Sequence, residues 1–180
     1  MSRVITVDES DRITGSMEKL EAHRKNVLHR AFSIFCMNAK GEMLLQKRAG
    51  CKYHSPGLWT NACCSHPLSE TFSENEVRER LRLEMGFNSP VEYLYTDRYQ
   101  ADFGNGLYEN EIDRIYVTHY EGNPAPNPEE VSDFAWIAIP ELNGRLNREA
   151  ETFTMWFRIL YPHFLEAYRE TSPGIINFAQ

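Results

Sequence analysis

Trp59-Thr60-Asn61-Ala62-Cys63-Cys64-Ser65-His66-Pro67 closes a long segment, residues 49–67, punctuated by Gly50, Pro56, Gly57 and Pro67. The composition predicts a structured loop with at most a short strand around Trp59. A connection this long in a compact domain is usually functional. Working outward, Leu28 to Met37 is apolar and aromatic enough for a buried strand. Asn38-Ala39-Lys40-Gly41 is a turn, and Met43 to Gln46 returns as a second strand. Downstream, Ser73-Glu74-Asn75-Glu76 has the pattern of a capping box. Its helix is expected to run to about Met85 and stop at Gly86. Val77, Leu81 and Met85 form its apolar line, while Arg80 and Glu84, also four apart, share another face.

The flanks complete a mixed sheet with helices. Val4 to Val7 reads as a strand, and Ser16 as the cap of a short helix reaching Ala22. Val91 to Tyr99 and Tyr108 to Tyr120 read as strands around a glycine-containing loop. Phe134 to Ile139 reads as a strand, Pro140 to Leu146 as a helix, and Phe153 to Tyr168 as a helix kinked at Pro162. With 180 residues, the chain is expected to form one domain over its whole length.

Charge and cysteine usage narrow the partners. The net charge of −7 argues against a nucleic-acid surface, which needs a basic footprint. A small anionic ligand stays possible if a few Lys and Arg side chains or divalent cations hold it. No apolar run reaches membrane-spanning length, and residues 1–11 lack the apolar core of a signal peptide, so a cytoplasmic location is expected. The four cysteines, at 36, 51, 63 and 64, read as free thiols of a reducing compartment.

Chemistry concentrates in three places. Alternation along a strand puts Glu109, Glu111 and Asp113 on one face, where three acids need either solvent, as on an edge strand, or a cation. His23, His29 and His66 with the Glu109/Glu111 pair are a plausible ligand set for Mn²⁺, Zn²⁺ or Mg²⁺. Five protein ligands exceed a tetrahedral zinc site and suit octahedral coordination. Cys64, two residues from His66, could be a nucleophile, an acid or base, a metal ligand or an inert thiol. Lys19, Arg48, Lys52 and Arg80 border these segments. They are either ordinary surface charges or a clamp for a di- or triphosphate whose Mg²⁺ is held by Glu84.

Taken together, Leu28-His29-Arg30-Ala31-Phe32-Ser33, the Trp59–Pro67 run and Tyr108-Glu109-Asn110-Glu111 resemble the type 1 isopentenyl-diphosphate isomerases, relatives of the Nudix fold, in order and approximate spacing. The likeness extends from about Val4 to Tyr168. It implies an α/β (α+β) fold, a Nudix-like mixed β-sheet sandwiched by helices. It also implies a reversible 1,3-allylic shift between isopentenyl and dimethylallyl diphosphate. Carried over by position, Cys64 and Glu111 flank the double bond, with Tyr99 as a proton relay. His23, His29, His66, Glu109 and Glu111 hold one metal. Glu84 and the Cys64 backbone carbonyl hold a Mg²⁺ on the diphosphate. Lys19, Arg48, Lys52 and Arg80 contact the diphosphate, and Trp156 faces the carbocation. The implied partner is a C5 isoprenoid diphosphate, with no nucleic acid and no membrane, and the protein would be a monomer or a dimer.

Departures from the hydrolytic Nudix box argue against diphosphate hydrolysis. Aligned on Gly86, Ser65 replaces the first glycine and Thr71 the first glutamate. Glu79 and Arg80 replace the Arg-Glu pair, Leu83 replaces a further acid, and Glu84 alone remains. A Nudix-type hydrolase and a structural metal-binding domain are the alternative readings.

Overall fold

The computed structural model describes residues 2–171. Strand β3 (His29–Met37) organises a nine-stranded sheet. It pairs antiparallel with β1 (Arg3–Val7), β4 (Glu42–Arg48) and β6 (Cys63–Ser65), and parallel with β8 (Tyr108–His119). Outside these, β2 (Ile13–Glu18) pairs with β1, β7 (Val91–Asp102) with β8, and both β5 (Trp59–Thr60) and β9 (Val131–Ala138) with β4.

Alternation along the strands divides the interior in two. Phe32, Ile34 and Cys36 of β3 face Val77, Leu81 and Met85 of α2 (Glu74–Met85). Phe35 and Met37 face Phe157, Leu160 and Phe164 of α4 (Met155–Thr171). Phe35 stacks on Phe164 with ring centroids 4.1 Å apart, and both rings are fully buried. Each such ring contributes roughly 1.5–3 kcal/mol of burial free energy. Helix α3 (Ile139–Arg148) has Pro140 in its first turn, where the missing N–H costs nothing. Pro162 lies on the exposed side of α4, and the helix continues past it to Thr171.

Three expectations are corrected. The N-terminal helix starts later than Ser16: α1 is Lys19–Arg24, capped by the Glu18 carboxylate, which accepts from the Glu21 N–H at 2.8 Å. Ser16 instead belongs to the β1–β2 hairpin, where its hydroxyl accepts from Arg3 Nε at 3.1 Å. The capping box does not close either. Ser73 is the N-cap residue without a side-chain cap bond, and the Glu76 carboxylate turns to the Leu68 N–H. The solvated edge-strand reading of Glu109, Glu111 and Asp113 also fails. β8 runs between β3 and β7, and the three acids are 5%, 4% and 1% exposed.

Candidate active site

Strand register builds the floor of the site. His29 is directly opposite Glu111 across the parallel β3–β8 pair, and Tyr99 is opposite Glu111 across β7–β8. One row across three strands therefore carries an imidazole, a carboxylate and a phenol. Ser33 is opposite Cys64 on the β3–β6 pair. Cys63 and Cys64 point to opposite sides: Cys63 packs into the α2 core, and Cys64 against the α4 core. All four cysteines are free.

Four donor-bearing side chains converge here. His23, His29, His66 and Glu111 each offer a ligand atom, and these atoms all lie within 4.8 Å of one another. His23 Nδ1 lies 2.8 Å from the Tyr108 carbonyl, and His29 Nδ1 lies 2.7 Å from the Val27 carbonyl. A carbonyl can only accept, so both Nδ1 atoms carry a proton, and on the neutral His23 ring Nε2 presents a lone pair. His23 Nε2 is buried with no hydrogen-bond partner. His66 Nε2 is 3.2 Å from His29 Nε2 and 3.0 Å from Glu111 Oε1. Donors about 2 Å from one ion stand roughly 3 Å apart, so the set fits a divalent metal.

Electrostatics agree with that fit. Burial lowers His23 to about 4 and His66 to about 3, keeping both imidazoles neutral and able to ligate. Burial also opposes charge on His29, but its hydrogen bond to Glu111 and that residue's charge outweigh it and raise the value. Glu111 is equally buried, yet the hydrogen bonds from His29 and His66 hold it well below the usual carboxylate range.

Glu109 is bonded differently. Its Oε1 is 3.0 Å from His54 Nε2, and its Oε2 is 2.9 Å from the Tyr99 hydroxyl, which is also 2.6 Å from Glu111 Oε2. A phenol has one proton and cannot donate to two carboxylates. Burial and the Glu111 charge push Glu109 up to about 8. Glu109 is therefore the carboxyl that holds the extra proton when no ion is bound, and Tyr99 donates to Glu111.

Cys64 stands across the same cavity, which Lys19, Arg48, Tyr99 and Trp156 also line. Its Sγ takes the Trp156 Nε1–H at 3.1 Å and lies 2.9 Å from Asn61 Oδ1 and 3.4 Å from Ser33 Oγ. Burial pushes the thiol up to about 12, so it keeps its proton at neutral pH. The Arg48 guanidinium sits 5.1 Å over the Trp156 ring, and its Nε is buried without a partner.

Other expected residues lie at the rim. A second cavity of about 370 Å³ is lined by Lys19, His66 and Arg80. Arg80 pairs with Glu84 at 2.7 Å and with Glu130 at 3.1 Å, and Lys52 also pairs with Glu130. Glu84 stands apart from the four-residue cluster, buried on the α2 side with Gln46 Nε2 donating to it at 3.1 Å.

Sequence reasoning passed over His54, Ser33 and Asn61 as functional candidates. The signal for His54 was its place in the same irregular segment as Lys52. Asn61 is fully buried, and its amide nitrogen donates to the Ile34 and Cys63 carbonyls, which fixes Oδ1 toward the thiol. Ser33 Oγ donates to Asp113 Oδ2 at 2.7 Å, a bond visible only once β3 and β8 are known to pair.

Known proteins now supply an independent comparison. The family model for the NUDIX domain matches residues 27–157, more than half of the chain. A protein of Aromatoleum aromaticum named isopentenyl-diphosphate Delta-isomerase 2 is 40% identical over 86% of this chain and 82% of its own. The isopentenyl-diphosphate Delta-isomerase of Pectobacterium atrosepticum is 38% identical over 94% of this chain and 96% of its own. Among solved structures, DR0079 of Deinococcus radiodurans has the same fold, with a TM-score of 0.69 at 20% identity over 82% of this chain and 90% of that one.

Proposed function

The chain belongs to the isopentenyl-diphosphate Delta-isomerase family within the Nudix superfamily, and from that premise we propose that Cys64 and Glu111, with Tyr99 between the acids, are the proton-transfer groups of its allylic isomerisation. The activity interconverts isopentenyl and dimethylallyl diphosphate in isoprenoid biosynthesis. The observation that carries the assignment of residues is a single cavity lined by a protonated thiol and by a carboxylate kept ionised.

Moving the double bond requires a proton to add at the terminal alkene carbon and another to leave C2, with a tertiary carbocation between. An acid and a base must therefore address the same allyl unit. At neutral pH the Cys64 thiol is a proton donor, and the Glu111 carboxylate, bonded to the Tyr99 hydroxyl, is an acceptor. The reverse reaction exchanges their roles. Trp156 offers its π face to the cation, worth roughly 0.5–2 kcal/mol where water is excluded. The walls formed by Trp156, Phe32 and Tyr99 keep out water that would trap the cation as an alcohol.

Lys19, Arg48, Lys52 and Arg80 are the proposed diphosphate contacts: Lys19 and Arg48 line the site cavity, Arg80 lines the second one, and Lys52 and Arg80 share Glu130 beside it. His23, His29, His66 and Glu111 would hold Mn²⁺, Zn²⁺ or Mg²⁺, with Glu109 as a fifth ligand. Such an ion would supply fixed positive charge that keeps Glu111 ionised. Glu84 would hold Mg²⁺ at the diphosphate, with the Cys64 carbonyl.

Proton NMR of the protein with Mg²⁺ and isopentenyl diphosphate in D₂O, with phosphate assayed in parallel, tests the reading. Deuterated dimethylallyl diphosphate without phosphate release is the expected result. Phosphate or pyrophosphate release would identify a hydrolase instead.

A further inference from the structure

We infer that His54 is a positioning residue of the metal centre, acting through Glu109. The inference rests on the reading of Glu109 as a ligand. His54 belongs to none of the three runs that carry the family resemblance and lies in the loop between β4 and β5. It is 9% exposed, and its ring is packed 4.6 Å from Phe103 and 5.0 Å, edge to face, from Trp156.

The hydrogen bonds fix which nitrogen does what. Glu109 Oε1, 3.0 Å from His54 Nε2, accepts that nitrogen's proton, because Glu109 directs Oε2 to Tyr99. Nδ1 is then the acceptor for the Ser55 hydroxyl at 3.0 Å. Arg48 Nη2 donates to the His54 carbonyl at 3.0 Å, so both the backbone and the ring are held. Ser55 adopts φ +51°, in the left-handed region that side chains other than glycine's enter at a cost. That strain is compensated by the packed and bonded ring beside it.

The result is a carboxylate with one oxygen tied to a loop and the other to Tyr99. Glu109 stands beside the four-donor cluster and is not free to swing. Partners that orient a ligand in this way typically change metal affinity or activity by about 10–100-fold when removed. The same loop carries Lys52, paired with Glu130 at the rim, so His54 also pins a cation-bearing segment onto the acid row.

The test is Mn²⁺ titration of the metal-free protein by electron paramagnetic resonance, alongside steady-state kinetics and thermal unfolding. His54→Phe keeps a ring and loses the donor. It is expected to weaken Mn²⁺ about tenfold or more and to lower kcat, with KM within about threefold of wild type. His54→Gln places an amide N–H where Nε2 stood and should recover Mn²⁺ affinity to within about threefold. His54→Asn is too short to reach Glu109 and should repeat the loss, which serves as the second variant if His54→Phe fails to fold. Glu109→Gln separates the two readings. If Glu109→Gln weakens Mn²⁺ while His54→Phe and His54→Asn bind it as wild type does, the role of His54 is overturned and the ligand reading stands. If Glu109→Gln itself binds Mn²⁺ normally, the ligand reading fails and the inference falls with it.

Discussion

His29 and Glu111 face each other across the parallel β3–β8 pair, with Nε2 3.2 Å from Oε1 and both side chains buried. The two residues are far apart in sequence, and the register that joins them also orders Ser33, Asp113 and the α4 core residues. A one-residue slip of β8 would send Glu111 and Asp113 to the other face, away from His29 and Ser33. Sheet stability and site geometry are therefore set by the same pairing.

Removing either proposed proton-transfer group should stop turnover without unfolding the protein. Cys64→Ala and Glu111→Gln are expected to lower kcat by on the order of 10²–10⁴-fold or more, with far-ultraviolet circular dichroism unchanged. Dimethylallyl diphosphate formation, followed by NMR, measures the loss. Near wild-type turnover in either variant would remove that residue from the reaction.

Metal should stabilise the fold by mass action. At a free Mn²⁺ concentration about 100 times Kd, the gain is about 2.7 kcal/mol, read as a rise in Tm over the chelated protein. His23→Ala and His66→Ala should lose most of that rise, because His23 Nε2 has no other partner and His66 Nε2 sits between His29 and Glu111. A full rise in both variants would place the ion elsewhere.

The candidate ligands are legible in the sequence, while the burial of the acid row is not. Alternation alone puts Glu109, Glu111 and Asp113 on one face, but whether that face meets water depends on β3 lying alongside β8, a long-range pairing no local pattern specifies. The helix expected at Ser16 failed because two capping groups lie close together, and the Glu18 carboxylate is the one that meets a free N–H. His54 escaped notice because a histidine in an irregular loop has no periodicity to give it a direction. The relation of Arg80 to Glu84 needed only the four-residue spacing of a helix, and those side chains meet at 2.7 Å.

The elevated Glu109 gives the metal-free protein a distinctive pH dependence. Its carboxyl titrates near 4.5 in the unfolded chain and at about 8 in the fold. Its contribution is fully present below about pH 4.5, where both states hold the proton. Between those values the fold keeps a proton that the unfolded chain releases, so stability falls as pH rises toward 8. Glu109→Gln has no such proton, and its urea-unfolding free energy should fall less steeply than wild type between pH 5 and 8. Equal slopes would mean that Glu109 ionises normally in the fold.

Gly86 packs the end of the helix bearing Arg80 and Glu84 against the loop of residues 123–128, which holds Pro124, Pro126 and Pro128. It ends α2 at φ +76°, its N–H donates to the Arg82 carbonyl at 3.0 Å, and a Cβ placed on it would lie 2.0 Å from the Ala125 carbonyl oxygen. Gly104 has nearly the same φ, +73°, but nothing stands within 4 Å of its Cβ position. Both alanine variants incur the backbone strain, roughly 1 kcal/mol, and Gly86→Ala alone adds the clash. Each kcal/mol lowers Tm by roughly 2–4 °C in a chain of this size. Gly86→Ala should thus melt clearly below Gly104→Ala. It should also raise KM, because displacing the loop breaks the bond from the Asn127 N–H to the Glu84 carbonyl and loosens the helix end beside the rim cations. Equal melting temperatures would show that the loop yields at Ala125 without cost.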